Sequence, residues 1–253
     1  MSSLNQLRPI PSLIGVGLTF FMTFNLSVSM YGCDQGKQQV KQSEAPAQMS
    51  IEAKANVLIT QAWSEESTVT PLLKELATRF KGQLRGLEHR LKTHSSTIRK
   101  LKKILSENPT LTPNDATIND ALRYTIEVRD EPPGNYVQTI HEVLKHLESK
   151  GHTVLKVKNT WPKGDNYSGV NTALQTPKDT LWELQFHTPE SYKIQKDSHD
   201  LYKQLRSIDT PQEKKKVLFQ KMAHPYEALP IPKDVLIEKN LHKIEEIKRY
   251  PSP

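Results

Sequence analysis

The sequence contains very little cysteine, no internal repeat and no zinc-protease motif. Cys33 is the single cysteine among 253 residues, so an intrachain disulfide is impossible and the fold must rest on its apolar core. The nearest approach to a zinc-binding helix is His141 and His146, but two histidines on one helical face need a spacing of about four residues. These absences exclude a disulfide-stabilised scaffold and argue against a zinc protease.

The N-terminal region lacks an apolar run long enough for a typical membrane-spanning helix. Residues 13–28 are apolar and follow the lone cation Arg8, whereas a spanning helix needs about 20 such residues. The run suits the hydrophobic region of a secretory signal. Gly32-Cys33 resembles a bacterial lipobox, in which Cys33 is lipidated and becomes the mature N-terminus. Cleavage after residues 27–29 and an uncleaved anchor are the alternatives. We therefore expect an exported bacterial protein, either a membrane-anchored lipoprotein or a secreted effector.

The composition is that of a soluble globular protein with excess positive charge. Hydrophobic residues make up 36% and charged residues 25%, which argues against a membrane bundle or a disordered chain. The net charge of +7 favours anionic partners such as nucleotide, RNA or acidic lipid, without choosing among them. We divide the chain into a signal peptide, a flexible linker, a globular domain and a helical C-terminal extension, over residues 1–32, 33–55, 56–210 and 211–253.

Hydrophobic periodicity predicts an α+β fold. Apolar residues recur every three to four positions over 51–105, with Thr70 and Pro71 as a helix N-cap and first helical position. A run of β-forming residues over 121–128 predicts a strand, and 136–149 predicts an amphipathic helix. Further strands are predicted over 153–158, 170–175 and 180–187, and further helices over 190–206, 211–223 and 235–249. This order implies a small mixed β-sheet flanked by helices.

The strand that ends at His187 has the most informative pattern in the chain. Successive side chains of a strand point to opposite faces. The two faces carry Trp182, Leu184 and Phe186 on one side and Glu183, Gln185 and His187 on the other. The first set suits packing on a core. The second gathers a carboxylate, an amide and an imidazole, which predicts one wall of an active site.

Two other clusters are candidates for chemistry. From Lys81 to Lys103 there are eight Lys or Arg and one acid, Glu88, and such cations could hold a triphosphate through charge-assisted hydrogen bonds. A solvated helix face is the structural alternative. Asp120 directly precedes the strand predicted over 121–128. There a carboxylate could hold Mg²⁺, which uses one or two carboxylates together with substrate phosphates, or could simply end a loop.

These three clusters, in this order, resemble the synthetase domain of the RelA/SpoT family. Arg90, Lys92 and Ser96 reproduce the family's Arg-x-Lys-x-x-x-Ser element. Asp120 falls at the Asp that opens the family's Asp-Leu-Ala-Gly-Ile-Arg strand, and Glu183 begins a Glu-x-Gln element. The resemblance covers about residues 80 to 206. It implies transfer of pyrophosphate from ATP to the ribose 3′-hydroxyl of GDP or GTP, or of another nucleotide or a tRNA 3′ end in divergent toxin-like relatives.

The resemblance also implies a role for each site residue. Asp120 and Glu183 would hold Mg²⁺, and Glu183 with Gln185 would act on the acceptor hydroxyl. The ATP phosphates would contact a set of cations and one hydroxyl: Arg90, Lys92, Ser96, Arg99, Lys100 and Arg123. The acceptor pocket would contain Tyr167, Asn171 and His187.

Several positions depart from the family pattern. Thr125 stands where the family has an ATP-contacting Arg, with Arg123 as a substitute on the same face. The family's Gly-Tyr-Arg-Ser-Leu-His element is matched by the segment from Gly169 to Leu174, which puts Val170 at the guanine-stacking Tyr. His187 stands where relatives carry Arg. These departures predict a retained donor site and a changed acceptor.

The sequence therefore supports two classes of function. The first is a divergent pyrophosphokinase that uses ATP and Mg²⁺. An exported domain would meet ATP only after delivery into another cell, so this hypothesis includes a toxin or effector with an immunity or antitoxin protein as partner. The second is a catalytically inactive nucleotide- or RNA-binding envelope lipoprotein, attached to the membrane through lipidated Cys33.

Overall fold

The computed structural model describes residues 48–161, 167–207 and 209–236. The proposed signal, Cys33 and the chain after Leu236 lie outside these residues. The helices are α1 (Ile51–Arg79), α2 (His94–Glu107), α3 (Tyr136–Ser149), α4 (Pro189–Asp197), α5 (His199–Arg206) and α6 (Gln212–Glu227). The strands are β1 (Gln83–Arg85), β2 (Arg123–Glu127), β3 (Thr153–Asn159), β4 (Val170–Gln175) and β5 (Leu181–His187).

The five strands form one mixed sheet in the order β1-β2-β5-β4-β3. β2 pairs with β5 in parallel, and the other neighbouring pairs are antiparallel. β4 and β5 form a hairpin, and Asp179 adopts the left-handed conformation in the turn between them. With helices around this sheet, the α+β architecture predicted from the sequence is confirmed.

One face of the sheet is apolar and forms the core. Trp182, Leu184 and Phe186 of β5 are fully buried, as are Tyr124 and Ile126 of β2 beside them. Burying large apolar side chains on one face while the other stays polar fixes the register, because a slip of one residue would exchange the faces. The alternation in β5 thus decides which way the whole sheet faces.

The opposite face gathers the polar side chains of three adjacent strands. Arg123 pairs with Glu183, and Thr125 pairs with Gln185, across the parallel β2–β5 ladder. Asn171 of β4 flanks Gln185 on its other side. Since directly opposed residues share a face, the register places these side chains next to one another.

The helical region predicted over 51–105 is interrupted. α1 ends at Arg79, and a short strand, β1, pairs with β2 before α2 begins. The prediction that Thr70 and Pro71 begin a helix is wrong: α1 begins after Ser50, whose hydroxyl accepts the Ala53 N–H at 3.1 Å, and Pro71 lies inside it. Because α1 begins at Ile51, it also overlaps the linker predicted up to residue 55.

The C-terminal helices differ from prediction mainly at their ends. The helix predicted over 190–206 is divided at Ser198 into α4 and α5. α6 extends four residues beyond the predicted 223. Of the helix predicted over 235–249, the described part is a short 3-10 turn, Lys233–Leu236, and the rest lies outside the described residues. Among the helices that the structure describes, none has the length and apolarity to cross a bilayer.

Candidate active site

A cleft of about 590 Å³ opens over the polar face of the sheet. Many of its lining side chains come from β2, β4 and β5 of the sheet and from helices α2, α5 and α6. The side chains that line it include Lys92, Ser96, Lys100, Lys103, Asp120, Arg123, Lys158, Tyr167, Asn171, Glu183, Gln185, Gln195, His199, Tyr202, Arg206, Met222 and Tyr226. Three regions far apart in the sequence therefore meet at one site.

The cleft has a strong excess of positive charge. Its basic lining residues are Lys92, Lys100, Lys103, Arg123, Lys158 and Arg206, against the two carboxylates of Asp120 and Glu183. Low-dielectric walls lined by one sign of charge focus the field and raise the local concentration of ions of the opposite sign. The arrangement is suited to a polyanion such as the phosphate chain of a nucleotide.

Local pairing places Lys92 beside Asp120. Leu91 forms an antiparallel bridge with Leu122, and the Lys92 N–H donates to the Ala121 carbonyl at 2.9 Å. α2 begins immediately afterwards, with the Thr93 hydroxyl accepting the Ser96 N–H as a cap. The helix then presents Ser96 and Lys100, four residues apart, on the side that lines the cleft.

Asp120 is held between two ammonium groups. Its carboxylate accepts from Lys92 Nζ at 2.9 Å and from Lys100 Nζ at 2.7 Å. Burial acts to raise the pKa of Asp120, but the two lysines outweigh it and lower the pKa to about 2. For Lys92 the balance is reversed: burial outweighs the attraction of Asp120 and lowers its pKa. Asp120 is thus an anion throughout the physiological range.

Glu183 has the opposite electrostatic character. Burial and the nearby charge of Asp120 together raise its pKa, against the opposing effect of Arg123, Lys100 and Lys92. Its Oε2 accepts from Gln185 Nε2 at 3.1 Å, which holds the carboxylate in place. Two coupled carboxylates with pKa values shifted in opposite directions are a recurring feature of acid–base sites.

The two carboxylates fit the ligand set of Mg²⁺. Mg²⁺ takes one or two carboxylates and completes its shell with water and substrate phosphates. Asp120 and Glu183 supply two carboxylates at a cleft that suits phosphates. A preformed cluster of three or more His, Cys, Asp or Glu ligands does not occur among residues 48–161, 167–207 and 209–236, so substrate oxygens would have to complete the coordination.

A second polar network lies deeper in the cleft. The Tyr167 hydroxyl donates to Asn171 Oδ1 at 2.6 Å and lies 3.0 Å from His187 Nε2. His187 is fully buried, and its Nδ1 lies 3.0 Å from the Ser191 hydroxyl. Burial lowers the pKa of His187 to about 4, so the imidazole is neutral. The network fixes Tyr167 and Asn171 at the cleft surface.

Gly169 is required by this network. A Cβ at Gly169 would lie 2.8 Å from His187 Cε1 and 3.0 Å from the Phe186 carbonyl oxygen. No side chain fits there without moving the imidazole or the strand. The glycine that precedes β4 therefore makes room for His187.

The structure separates the predicted phosphate ligands into two groups. Lys92, Ser96, Lys100 and Arg123 line the cleft. Arg90 does not, because its guanidinium Nε donates to Glu66 Oε1 of α1 at 2.6 Å.

Arg99 is also outside the cleft. It is exposed on α2, where its nearest described partner is the Ser96 hydroxyl at 3.5 Å. Helical periodicity explains this, since a residue one position before Lys100 points about 100° away from it.

The sequence interpretation of Val170 is corrected. Val170 is fully buried and pairs with Phe186, so it faces the core and not the cleft. Its aliphatic character therefore says nothing about recognition in the cleft. Tyr167 and Asn171, in contrast, both line the cleft.

Several lining residues were not predicted as ligands. Lys103 and Lys158 extend the positive charge, and Met222 and Tyr226 bring α6 into the wall. Helix α6 belongs to the predicted C-terminal extension, yet it completes the cleft. The stripe of His199, Tyr202 and Arg206 on α5 was recognisable from its helical spacing, whereas the contribution of α6 depends on how the two helices pack.

Comparison with known protein families gave no match to any family profile, and no curated protein sequence matched the chain. Solved structures do resemble it. The complex between the type VI effector Tas1 and its immunity protein matches at 20% identity, covering 68% of this chain and 94% of that one, with a TM-score of 0.44.

Small alarmone synthetase 1 from Bacillus subtilis matches at 19% identity, covering 69% of this chain and 90% of that one, with a TM-score of 0.46. The same protein bound to its product pppGpp matches at 18% identity over 68% and 90%, also with a TM-score of 0.46. At such low identity, the chemistry of the cleft has to follow from its own residues.

Proposed function

We propose that the cleft binds a nucleoside triphosphate, with ATP as the donor, and transfers its pyrophosphate to a hydroxyl of an acceptor nucleotide. The observation that carries this proposal is the pair Asp120 and Glu183, two coupled carboxylates at the base of a cleft lined by six basic side chains. A phosphate chain needs the cations, and the activation of a hydroxyl needs a carboxylate that can accept a proton.

The donor phosphates would lie between α2 and the sheet. Lys92, Lys100 and Arg123 present cations from two sides, and the Ser96 hydroxyl lies on the same wall. Mg²⁺ held by Asp120 and Glu183 would neutralise phosphate charge and polarise the β-phosphate. When phosphates are bound, Lys92 and Lys100 can contact them while remaining near Asp120, since each ammonium has three donors.

Glu183 is the proposed base. In the reaction, the acceptor hydroxyl oxygen attacks the β-phosphorus of ATP, the bond between that phosphorus and the α–β bridging oxygen breaks, and AMP leaves. The acceptor proton passes to the Glu183 carboxylate. Burial and the charge of Asp120 raise the pKa of this carboxylate in the metal-free cleft, and the Gln185 amide keeps it oriented.

Tyr167 and Asn171 are the proposed acceptor contacts. Both line the cleft, and both are positioned by the hydrogen bonds around His187. His187 itself is buried, so we assign it the positioning of Tyr167 and not direct contact with the acceptor.

The biological setting we propose is that of an exported protein that acts where it meets ATP. It rests on the apolar run of residues 13–28 and on Gly32-Cys33, which suggest export with or without lipid attachment. A delivered enzyme of this kind would act as a toxin or effector, and the producing cell would need an immunity protein that blocks the cleft.

Transfer of labelled pyrophosphate tests the proposed reaction. Full-length protein with Mg²⁺ and β-labelled ATP should label one of four acceptors: GDP, GTP, ADP or tRNA. Glu183→Gln should reduce the rate by roughly 100- to 10,000-fold, because general-base catalysis contributes about that much. Glu148→Gln, at an exposed position on α3, is the matched control and should retain full activity.

Two results would contradict the proposal. The first is the absence of transfer to every acceptor by the wild-type protein. The second is a Glu183→Gln variant as active as wild type. Binding of ATP without turnover in the wild type would instead support the inactive nucleotide-binding module.

A further inference from the structure

Helix α5 presents an aromatic and cationic stripe to the cleft. His199, Tyr202 and Arg206 lie at helical spacing, and all three line the cleft. The guanidinium carbon of Arg206 lies 5.1 Å from the centre of the Tyr202 ring, a cation–π contact. The proposed transfer assigns no role to this stripe.

Tyr202 differs from the other aromatic side chains of the cleft in its accessibility. It is 40% exposed, whereas Tyr226 is 8% exposed. Tyr167 is fixed by hydrogen bonds to Asn171 and His187 and packs edge-on against the imidazole. Among the described lining residues, Tyr202 is therefore the tyrosine whose ring leaves most surface open to a ligand.

The position of the stripe relates it to the donor nucleotide. The proposed phosphate ligands Lys92 and Lys100 occupy the wall of α2, and the proposed acceptor contacts Tyr167 and Asn171 lie on the sheet side. Arg90, the cation expected near the donor, is bound to Glu66 outside the cleft. A donor whose phosphates lie on α2 would need another surface for its base, and α5 lines the same cleft.

We infer that Tyr202, backed by Arg206, is a stacking platform for the base of the triphosphate donor. An aromatic ring offers its face to any nucleobase, and a guanidinium can stack on the same system. Such a platform selects a nucleotide over inorganic polyphosphate but distinguishes weakly among bases. The inference rests on the proposed function in one respect only: it takes a nucleoside triphosphate as the ligand of the cleft.

Binding measurements can isolate the contribution of the base. Affinities of the full-length protein for ATP and for inorganic tripolyphosphate would be measured by calorimetry. Tyr202→Leu should weaken ATP binding by roughly 5- to 100-fold, the usual range for loss of one base–aromatic stack. It should leave tripolyphosphate binding unchanged. Tyr202→Phe retains the ring and should bind ATP like the wild type.

Phe219→Leu provides the matched control, since Phe219 is an exposed aromatic outside the cleft lining. It should leave both affinities unchanged. The inference would be overturned if Tyr202→Leu weakened ATP binding and tripolyphosphate binding equally, or if it left ATP binding unchanged. A wild-type protein that binds ATP no more tightly than tripolyphosphate would also overturn it. Because only binding is measured, failure of the transfer assay is a separate result and leaves this test intact.

Discussion

His187 is a titratable side chain that the fold encloses completely. Its two ring nitrogens lie 3.0 Å from the Tyr167 and Ser191 hydroxyls, and Gly169 leaves room for its ring. The pKa of His187 falls from 6.5 to about 4 because burial disfavours the charged imidazolium. The buried imidazole of His187 thus has two roles: it positions Tyr167 in the cleft, and it contributes to the stability of the protein.

The lowered pKa of His187 predicts a loss of stability in mild acid. The folded pKa lies below the unfolded value, so the contribution is fully present above about pH 6.5 and is lost as the pH falls toward 4. Between about pH 7.5 and about pH 5 this group should account for about 2 kcal/mol of the fall in unfolding free energy. Denaturant titrations of wild type and His187→Gln at both pH values would measure it, with a smaller fall in the variant.

His224→Gln is the matched control because His224 lies exposed on α6. It should keep the pH dependence of the wild type. A His187→Gln variant with an undiminished pH dependence would show that other groups are responsible.

The sequence predicted which residues share one face of a strand more reliably than it predicted what surrounds each side chain. The alternation in β5 puts Glu183 and Gln185 on one face of the strand, and both line the cleft. It could not show that His187, on the same face, is covered by Tyr167 and α4, because that depends on chain segments far away in the sequence. Arg90 was expected in the cleft for the same reason: its partner, Glu66, lies on α1, an element distant in the sequence.

Among the elements, α2 does most to shape the donor side of the cleft. Its first turn begins at Thr93, whose hydroxyl accepts the Ser96 N–H at 3.3 Å. The backbone carbonyl of Thr93 accepts hydrogen bonds from both the N–H and the hydroxyl of Thr97. The direction in which Lys100 leaves the helix therefore depends on a well-formed first turn.

Removal of this cap should destabilise the protein. Thr93→Ala should lower the unfolding free energy by about 1 kcal/mol, the usual cost of losing an N-cap hydroxyl. Thr93→Ser keeps an accepting oxygen and should stay close to wild type. Chemical denaturation of the three proteins would measure the difference, and an alanine variant as stable as the serine variant would refute a capping role.

Elements with a strong periodic pattern were predicted well, and short ones were not. α3 and β4 have the predicted bounds because each shows one unbroken pattern over its whole length. β1 was missed, since three residues cannot establish an alternation and its pairing with β2 is a long-range contact. The division between α4 and α5 was also missed, because helical spacing continues across Ser198.

At the scale of the whole molecule, we predict that the protein is attached to a membrane. We expect Cys33 to carry a lipid, on the resemblance of Gly32-Cys33 to a lipobox. Cell fractionation should then place the wild-type protein with membranes and Cys33→Ser in a soluble or secreted fraction. Mass spectrometry of the N-terminus would identify the lipid. The same fraction for both proteins, with an unmodified cysteine, would favour simple signal cleavage or an uncleaved anchor.

The parallel pairing of β2 with β5 has a consequence for when the site comes into existence. Arg123 and Glu183 are direct partners in this ladder although sixty positions separate them, and α3, β3 and β4 lie between. Contacts of such long range form slowly, because closing the long intervening loop costs entropy before the contacts stabilise it. A nascent chain, or one threaded unfolded through a membrane, therefore holds Asp120 and Arg123 far from Glu183 and has no assembled site. An exported protein built in this way would be harmless during its passage and would acquire its chemistry only on folding at its destination.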